Sequence, residues 1–381
     1  MKFQELVFNY DENILKSIIK ILKSNNYLNL QYLPTRYSIL AIIKEPLNIL
    51  NFFTKKNHLL FYPSLAPSFY RFFMTKKNHL FIDVCFFNNA VNEKKLLELF
   101  PKKLINRAIL NNIIIKQGDL FKFSVSFIPF DNYILIRDHY QSYGKYELDP
   151  EKFDQRVWMG SDSIIFTRII KKYLKGKIFR RALEIGSGTG IQMIVASMFS
   201  KSCEAIDYNK RAVEFTRLNV AINKIKNVNS SYSNLFENVN GEFDLIIVNP
   251  WFIDLREGGL EEVPSIIENL DKYLSKNGQC IMLLNSFIKN GKDTVVEYLS
   301  NIIKSTYYDI DLYTLGYFVD SNREMDYEIN LIKYEISYYT VIKKSGNGRI
   351  KRHETSFFRF LRDHTYLYLH QLKNNFKLNK K

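Results

Sequence analysis

Two short stretches of this 381-residue chain bring together residue types able to do chemistry, at spacings that narrow which chemistry it is. The first is Glu184-Ile185-Gly186-Ser187-Gly188-Thr189-Gly190. Glycine at every second position lets a backbone turn sharply and approach a ligand with no Cβ in the way. A dinucleotide fingerprint needs its third glycine at position 191, where Ile191 stands, and a phosphate-cradling loop needs Gly-Lys-Ser/Thr, which is absent. What remains is a glycine turn with an acid, Glu184, at the end of the apolar run before it. Asp207 closes the next apolar run, 17 positions beyond Gly190. At that spacing in a βαβ unit a carboxylate reaches ribose hydroxyls, and it can accept from two at once. The second stretch is Asn249-Pro250-Trp251-Phe252, directly after Leu245-Ile246-Ile247-Val248. Asn-Pro after a strand is by itself a turn; next to a ligand site it sets two oxygen acceptors at the strand end. Other chemistries lack their parts. The six histidines show no metal-ligand spacing, and Gly186-Ser187-Gly188 belongs to the glycine turn rather than to a nucleophile elbow.

The pattern E-x-G-x-G-x-G with an acid at the strand end resembles motif I of the class I S-adenosyl-L-methionine-dependent methyltransferases. Asn249-Pro250-Trp251-Phe252 resembles motif IV of the amino-methyltransferases, N/D-P-P-Y/F. From Asn132 to Asn285 the chain is similar to the release-factor glutamine methyltransferase (HemK-type) and "methyltransferase small domain" group. Within that span, Leu255 onward echoes the loop and helix after motif IV, and Trp158 to Ser163 falls where related enzymes have a segment covering the cofactor. The resemblance implies S-adenosyl-L-methionine as cofactor and no metal. Gly186, Gly188 and Gly190 would approach it, and Glu184 would complement its sulfonium and ammonium. Asp207 would hold the ribose and Tyr208 would lie against adenine. Asn234, where similar enzymes often have Asp, would accept from the adenine amino group. The resemblance further implies transfer to a planar nitrogen, an amide or exocyclic amine whose lone pair is delocalised. Acceptance of its N–H bonds by the Asn249 side chain and the Pro250 carbonyl would aim the nitrogen and stabilise its developing charge. Trp251 or Phe252 would stack on the flat acceptor. Trp251 replaces the usual second proline, so one φ angle of the loop is left unrestricted. The acceptor expected is a macromolecule, a protein glutamine or an RNA base; the alternative is a tailoring methyltransferase for a small molecule or peptide natural product.

These residues need elements to carry them. Residues 151–345 read as α/β alternation: a helix from Ser163 to Leu174 with Ser161, Asp162 or Ser163 as N-cap, then strands at Ala182–Ile185, Cys203–Asp207, Phe243–Pro250 and Gln279–Leu284 separated by helices. Right-handed crossovers then give a mostly parallel, Rossmann-like sheet, and the resemblance implies one antiparallel strand near Tyr334 to Ile342, at or near the edge. Residues 1–150 read as a smaller α+β domain for substrate recognition, helical over 1–117, with a winged-helix-like portion from Glu93 to Arg137. In it, Lys122–Phe127 and Asn132–Arg137 form an antiparallel pair. Asp138 to Asp154 is the linker, and 346–381 a basic tail ending in a helix. The phrase Phe-Phe-Thr-Lys-Lys-Asn-His-Leu at Phe52 returns nearly unchanged at Phe72, too short a repeat to specify an architecture.

Composition sets the outer bounds. With 46% hydrophobic and 15% aromatic residues the chain can bury a large core, which excludes wholesale disorder. Three scattered cysteines exclude a disulfide framework. No segment offers the ~20 apolar residues a membrane span needs, and the first residues lack a secretory h-region, so a cytoplasmic protein is expected. The formal charge is +15, unevenly spread: residues 1–150 carry 20 Lys and Arg against 12 Asp and Glu, residues 151–340 carry 23 against 25, and the last 41 carry 11 against 2. A near-neutral core between basic flanks fits an anionic partner such as RNA. The richness in Asn, Ile and Lys that an AT-rich genome imposes would give the same totals.

Overall fold

The computed structural model describes residues 10–30, 75–138, 157, 159–250, 262–303, 308–318, 332–344 and 346–353. The first copy of the repeated phrase, most of the expected linker, Trp158, Trp251, Phe252 and the expected terminal helix lie outside the described residues.

Near the start of the chain, Asp11 caps helix α1 (Glu12–Ser24), its carboxylate accepting from the Asn13 amide at 2.8 Å. Ile14, Leu15, Ile18, Ile19 and Leu22 recur at helical spacing and are buried. The second copy of the repeated phrase supplies the Thr75 cap and most of α2 (Lys76–Phe81), which runs into a π-helical turn, Ile82–Phe86. There follow β1 (Val91–Asn92), α3 (Glu93–Leu99), α4 (Lys102–Leu110), β2 (Ile114–Gln117) and β3 (Leu120–Phe123), the strands making an antiparallel sheet in the order β1-β3-β2. The helical reading of residues 1–117 therefore misses β1 and β2, each too short for a period of two to show. Lys122–Phe127 is also not one strand. It breaks at Ser124, whose amide bonds to the Ile113 carbonyl. The antiparallel pair is β4 (Val125–Phe130) with β5 (Tyr133–Asp138), turning at Asp131, which has φ 49°. Edge-to-face contacts run Tyr27–Phe81–Phe100–Phe123–Phe127 with centroids 5.2–6.2 Å apart, and the buried Tyr27 hydroxyl donates to the Phe127 carbonyl at 2.7 Å.

The remaining described elements are α5 (Ser161–Leu174), β6 (Phe179–Ile185), α6 (Ile191–Ala196), β7 (Ser200–Asp207), α7 (Lys210–Ile222), β8 (Val228–Tyr232), β9 (Phe243–Val248), α8 (Glu262–Tyr273), β10 (Leu274–Lys289), β11 (Lys292–Asp293), α9 (Thr294–Ile303), β12 (Asp309–Phe318), β13 (Ile332–Lys343) and β14 (Ile350–His353). They build an α/β sheet in the order β14-β12-β13-β10-β9-β6-β7-β8, with the short β11 on β10. Strands β6 to β10 pair in parallel, and β13 runs antiparallel to both β10 and β12. The antiparallel strand is thus where expected in sequence and lies near one edge, with β12 and β14 outside it. Within the expected basic tail, Gly346 to Arg349 lead into edge strand β14, fastened where the Asp309 carboxylate accepts from the Asn347 amide at 2.9 Å.

The sheet is covered on both faces, so its inner strands are apolar on both sides. On β6, Ala182 packs into one core cluster while Leu183 and Ile185 pack into the other. The first cluster is continuous with the buried residues of α1, β4 and β5, which pack beside α7. From β6 the chain steps out through β7 to β8, then returns to pair β9 on the other side of β6. That reversal makes the carboxyl ends of β6 and β9 the switch point of the sheet, the place where ligands of open α/β sheets bind.

Candidate active site

The register of three strands brings the predicted residues together. Glu184 on β6 lies opposite Ala205 of β7 and Ile247 of β9, and Ile185 opposite Ile206 and Val248. The glycine turn after Ile185, Asp207 at the end of β7, and Asn249 just past Val248 therefore leave the sheet at one level. Gly186, Gly188 and Gly190 have φ of 72°, 53° and 73°, a region open to glycine and strained for other residues. At Gly190 a Cβ would also lie 2.7 Å from the Thr216 methyl. Helix α7 braces this turn. The Thr216 hydroxyl donates to the Gly188 carbonyl at 3.2 Å, and the Asn219 amide donates to the Thr189 carbonyl at 2.9 Å.

Asp207 is buried, and both its oxygens are already engaged, Oδ2 by the Gly188 amide and Oδ1 by the Asn209 amide, each at 2.9 Å. It therefore ties the glycine turn to β7 and caps its own turn, with one lone pair left on each oxygen. Glu184 is buried too. Its Oε2 accepts from the Met193 amide at 3.1 Å, while Oε1 has no hydrogen-bond partner. Burial pushes the Glu184 carboxyl well above its usual range, and the nearby Asp207 charge adds to the rise. Burial likewise lifts Asp207. Glu262, the first residue of α8, is raised by burial and by Asp207, which adds a third carboxylate to this end of the sheet that the sequence reading did not single out. Tyr208 is half exposed beside Asp207. Asn234 follows Ser233, whose amide bonds to the Asp207 carbonyl at 3.1 Å; its own side chain is exposed and donates to Glu237 at 2.9 Å, leaving its oxygen available.

Asn249 and Pro250 are half-buried. The Asn249 amide nitrogen donates to the Ser163 hydroxyl at 3.3 Å, and its Oδ1 is buried without a partner. Ser163 lies in the first turn of α5, whose N-cap is the backbone of Gly160 and not one of the three expected side chains. A Cβ on Gly160 would run into the Asp162 carboxylate, which would have to shift. The segment before α5 is in turn held by the buried Arg137 of β5, which donates to the Met159 carbonyl at 2.5 Å. Asp138 beside it accepts from the Val157 amide and from Arg211 Nε of α7, both at 2.8 Å, in a buried ion pair. Asn219 exchanges bonds with the Ile136 amide and carbonyl at 2.7 and 2.9 Å. Hairpin β4–β5, the glycine turn and the Asn249 neighbourhood are thus one bonded unit. The signal for Thr216 and Asn219 lay in the sequence: they are polar residues on the stripe Ala212-Phe215-Thr216-Asn219-Ile222 that an amphipathic helix buries. Ser163 gave no such signal.

Among the described residues no group of three or more His, Cys, Asp or Glu could hold a metal ion, and no helix is long and apolar enough to cross a membrane. The three cysteines are free and buried. The family model "Methyltransferase small domain" matches residues 162–308. A putative protein N5-glutamine methyltransferase of Methanocaldococcus jannaschii is 32% identical over 170 residues, 40% of this chain and 80% of that one. The ribosomal RNA small subunit methyltransferase C of Serratia proteamaculans is 28% identical over 158 residues, 40% of this chain and 44% of that one. Its counterpart from an Enterobacter species is 30% identical over 156 residues, again 44% of its length. The chain thus spans less than half the length of these ribosomal RNA methyltransferases. The order of strands, the glycine turn and these matches agree, and the chain belongs to the class I methyltransferases of the methyltransferase small domain type.

Proposed function

We propose that this protein is an S-adenosyl-L-methionine-dependent N-methyltransferase whose acceptor is a planar nitrogen of a macromolecule, a protein glutamine amide or an RNA base. The observation that carries this reading is Asn249 Oδ1, a buried acceptor without a partner, at the strand end that shares its level with the glycine turn. An acceptor left unpaired in a protein interior costs about 1–3 kcal/mol, so such an atom is kept where a donor arrives from outside.

The residues present fit the cofactor. Glu184 Oε1, buried and without a partner, suits an ammonium or other cationic donor. The positive-φ glycines leave the turn without Cβ atoms, so a nucleoside can approach its backbone. Asp207 keeps lone pairs for the ribose hydroxyls, Tyr208 offers a ring face, and Asn234 keeps its side-chain oxygen for the adenine amino group. When bound, the cofactor supplies a methyl group on a sulfonium that departs as a neutral thioether once the nitrogen lone pair forms the new N–C bond.

The protein's part is positioning and charge. Asn249 Oδ1 and the Pro250 carbonyl accept the two N–H bonds of the acceptor, which turns its lone pair toward the cofactor and holds it there. The same two oxygens stabilise the positive charge growing on nitrogen. Neither takes up a proton for good; the surplus proton on nitrogen passes to water. Trp251 or Phe252 stacks on the planar acceptor. Residues 1–150 select the acceptor, and their basic balance, with that of the tail, suits RNA or an acidic surface. A macromolecular acceptor is supported by the relatives, named for protein glutamine and for ribosomal RNA. A cytoplasmic location is supported by the three free thiols.

The experiment is transfer of tritiated methyl from S-adenosylmethionine into a cell extract that is then fractionated. Label in protein or RNA is the expected result; label confined to small molecules would replace this acceptor class with the tailoring alternative.

A further inference from the structure

Asn249 does its proposed work in only one of its two amide orientations. With Oδ1 toward the crevice it accepts an N–H; rotated by half a turn, it presents an NH2 group that can only donate. The two orientations fill nearly the same space, so packing alone does not choose between them.

We infer that Ser163 and Asp162 make that choice, and that Ser163 is a positioning residue for methyl transfer. This rests on the proposed reading of Asn249. The Ser163 hydroxyl lies 3.3 Å from Asn249 Nδ2 and 3.3 Å from Asp162 Oδ2. A carboxylate only accepts, so the single hydroxyl proton of Ser163 goes to Asp162. The serine oxygen then faces Asn249 as an acceptor, and the amide must answer with its NH2. Oδ1 is left facing away from Ser163, buried and without a partner. The relay is itself held in place. The absence of a side chain at Gly160 makes room for the Asp162 carboxylate, and the Ser163 carbonyl accepts from the buried Thr167 hydroxyl at 2.6 Å. No atom of the relay needs to touch the cofactor or the acceptor.

The test compares methyl transfer and S-adenosylhomocysteine affinity in the full chain carrying Ser163→Ala, Ser163→Thr, Asp162→Ala or Asn249→Ala. Ser163→Ala lowers the turnover number about 10- to 100-fold while affinity for S-adenosylhomocysteine stays within about twofold. Ser163→Thr keeps the hydroxyl and restores turnover to within about threefold of the starting protein. Asp162→Ala leaves the hydroxyl in place but frees its proton to point at Asn249, so turnover falls while the thermal midpoint stays near that of Ser163→Thr. Nitrogen-15 NMR gives a readout independent of turnover: the Asn249 side-chain NH2 signals, identified by their absence from Asn249→Ala, shift and exchange faster with water in Ser163→Ala. Full turnover in Ser163→Ala, equal damage from Ala and Thr, or unmoved Asn249 amide signals would overturn the inference. If Asn249→Ala abolishes transfer while Ser163→Ala does not, the proposed role of Asn249 stands and only the relay is lost; if Asn249→Ala transfers normally, the role of Asn249 and the relay both fall.

Discussion

At the scale of single residues, the proposed site is built on buried oxygens: Glu184 Oε1 and Asn249 Oδ1 without partners, and the carboxylate of Asp207. Asp207 shows how one side chain serves two ends. Its oxygens hold the Gly188 and Asn209 amides, and their remaining lone pairs are the ones proposed for the ribose. Asp207→Ala therefore weakens S-adenosylhomocysteine binding at least tenfold, or about 1.4 kcal/mol by calorimetry, and unchanged affinity would remove Asp207 from the cofactor site. Titration gives a second prediction. Burial raises Glu184, Asp207 and Glu262, so above about pH 4 these three groups hold more protons in the folded protein than in the unfolded chain. By linkage their contribution to stability is fully present below the unfolded carboxyl values and is lost as pH rises from there through the raised folded ones. A cation entering the site favours the ionised forms, so binding expels protons and S-adenosylmethionine affinity rises with pH. Calorimetry just above the unfolded carboxyl range, in two buffers of different ionisation enthalpy, reads this directly: the apparent heats differ, and identical heats would contradict it.

At the scale of elements, helix α7 does most of the joining. One side chain, Asn219, bonds β5 on one side and the glycine turn on the other, so Asn219→Ala strands buried backbone groups in both. It should cost about 2 kcal/mol of stability and weaken cofactor binding as well. A loss of stability with cofactor affinity intact would show that α7 supports the fold without shaping the site. Gly190→Ala combines a disfavoured φ with a clash against Thr216 and should lower the thermal midpoint more than Gly176→Ala, whose Cβ would meet nothing within 4 Å. The legibility of the sequence follows the same division. Glu184, Asp207 and Asn249 could be read because each lies at or next to the end of a short strand, and parallel strands bring their carboxyl ends to one level of the sheet. Ser163 and Glu262 could not, because their nearness to Asn249 and Asp207 depends on how α5 and α8 cross the sheet. Strand β12 hid for another reason. Asp309, Asp311 and Tyr313 share one half-exposed face, where Asp311 meets Lys343 at 2.6 Å and Tyr313 stacks between Tyr339 and His353; the alternation Asp309-Ile310-Asp311-Leu312 carries its period of two, but over a run too short to stand out without the partners that β13 and β14 supply.

At the scale of the whole molecule, the N-terminal elements and the methyltransferase sheet share one continuous apolar cluster and a buried Arg211–Asp138 pair. The elements proposed to select the acceptor are thus joined rigidly to those proposed to hold the cofactor. If the acceptor is RNA, binding should weaken steeply with salt, because each neutralised phosphate releases counterions; a flat response would favour a protein acceptor. The measurement closest to the centre of this account is turnover and cofactor affinity in Asn249→Ala, with whichever fraction of extract accepts label as substrate. Affinity for S-adenosylhomocysteine should stay within about twofold while the turnover number falls by roughly 100-fold or more, since the lost interaction is made to the reacting nitrogen and not to the cofactor. Turnover that survives, with only KM raised, would show that Asn249 binds the acceptor without aiming it.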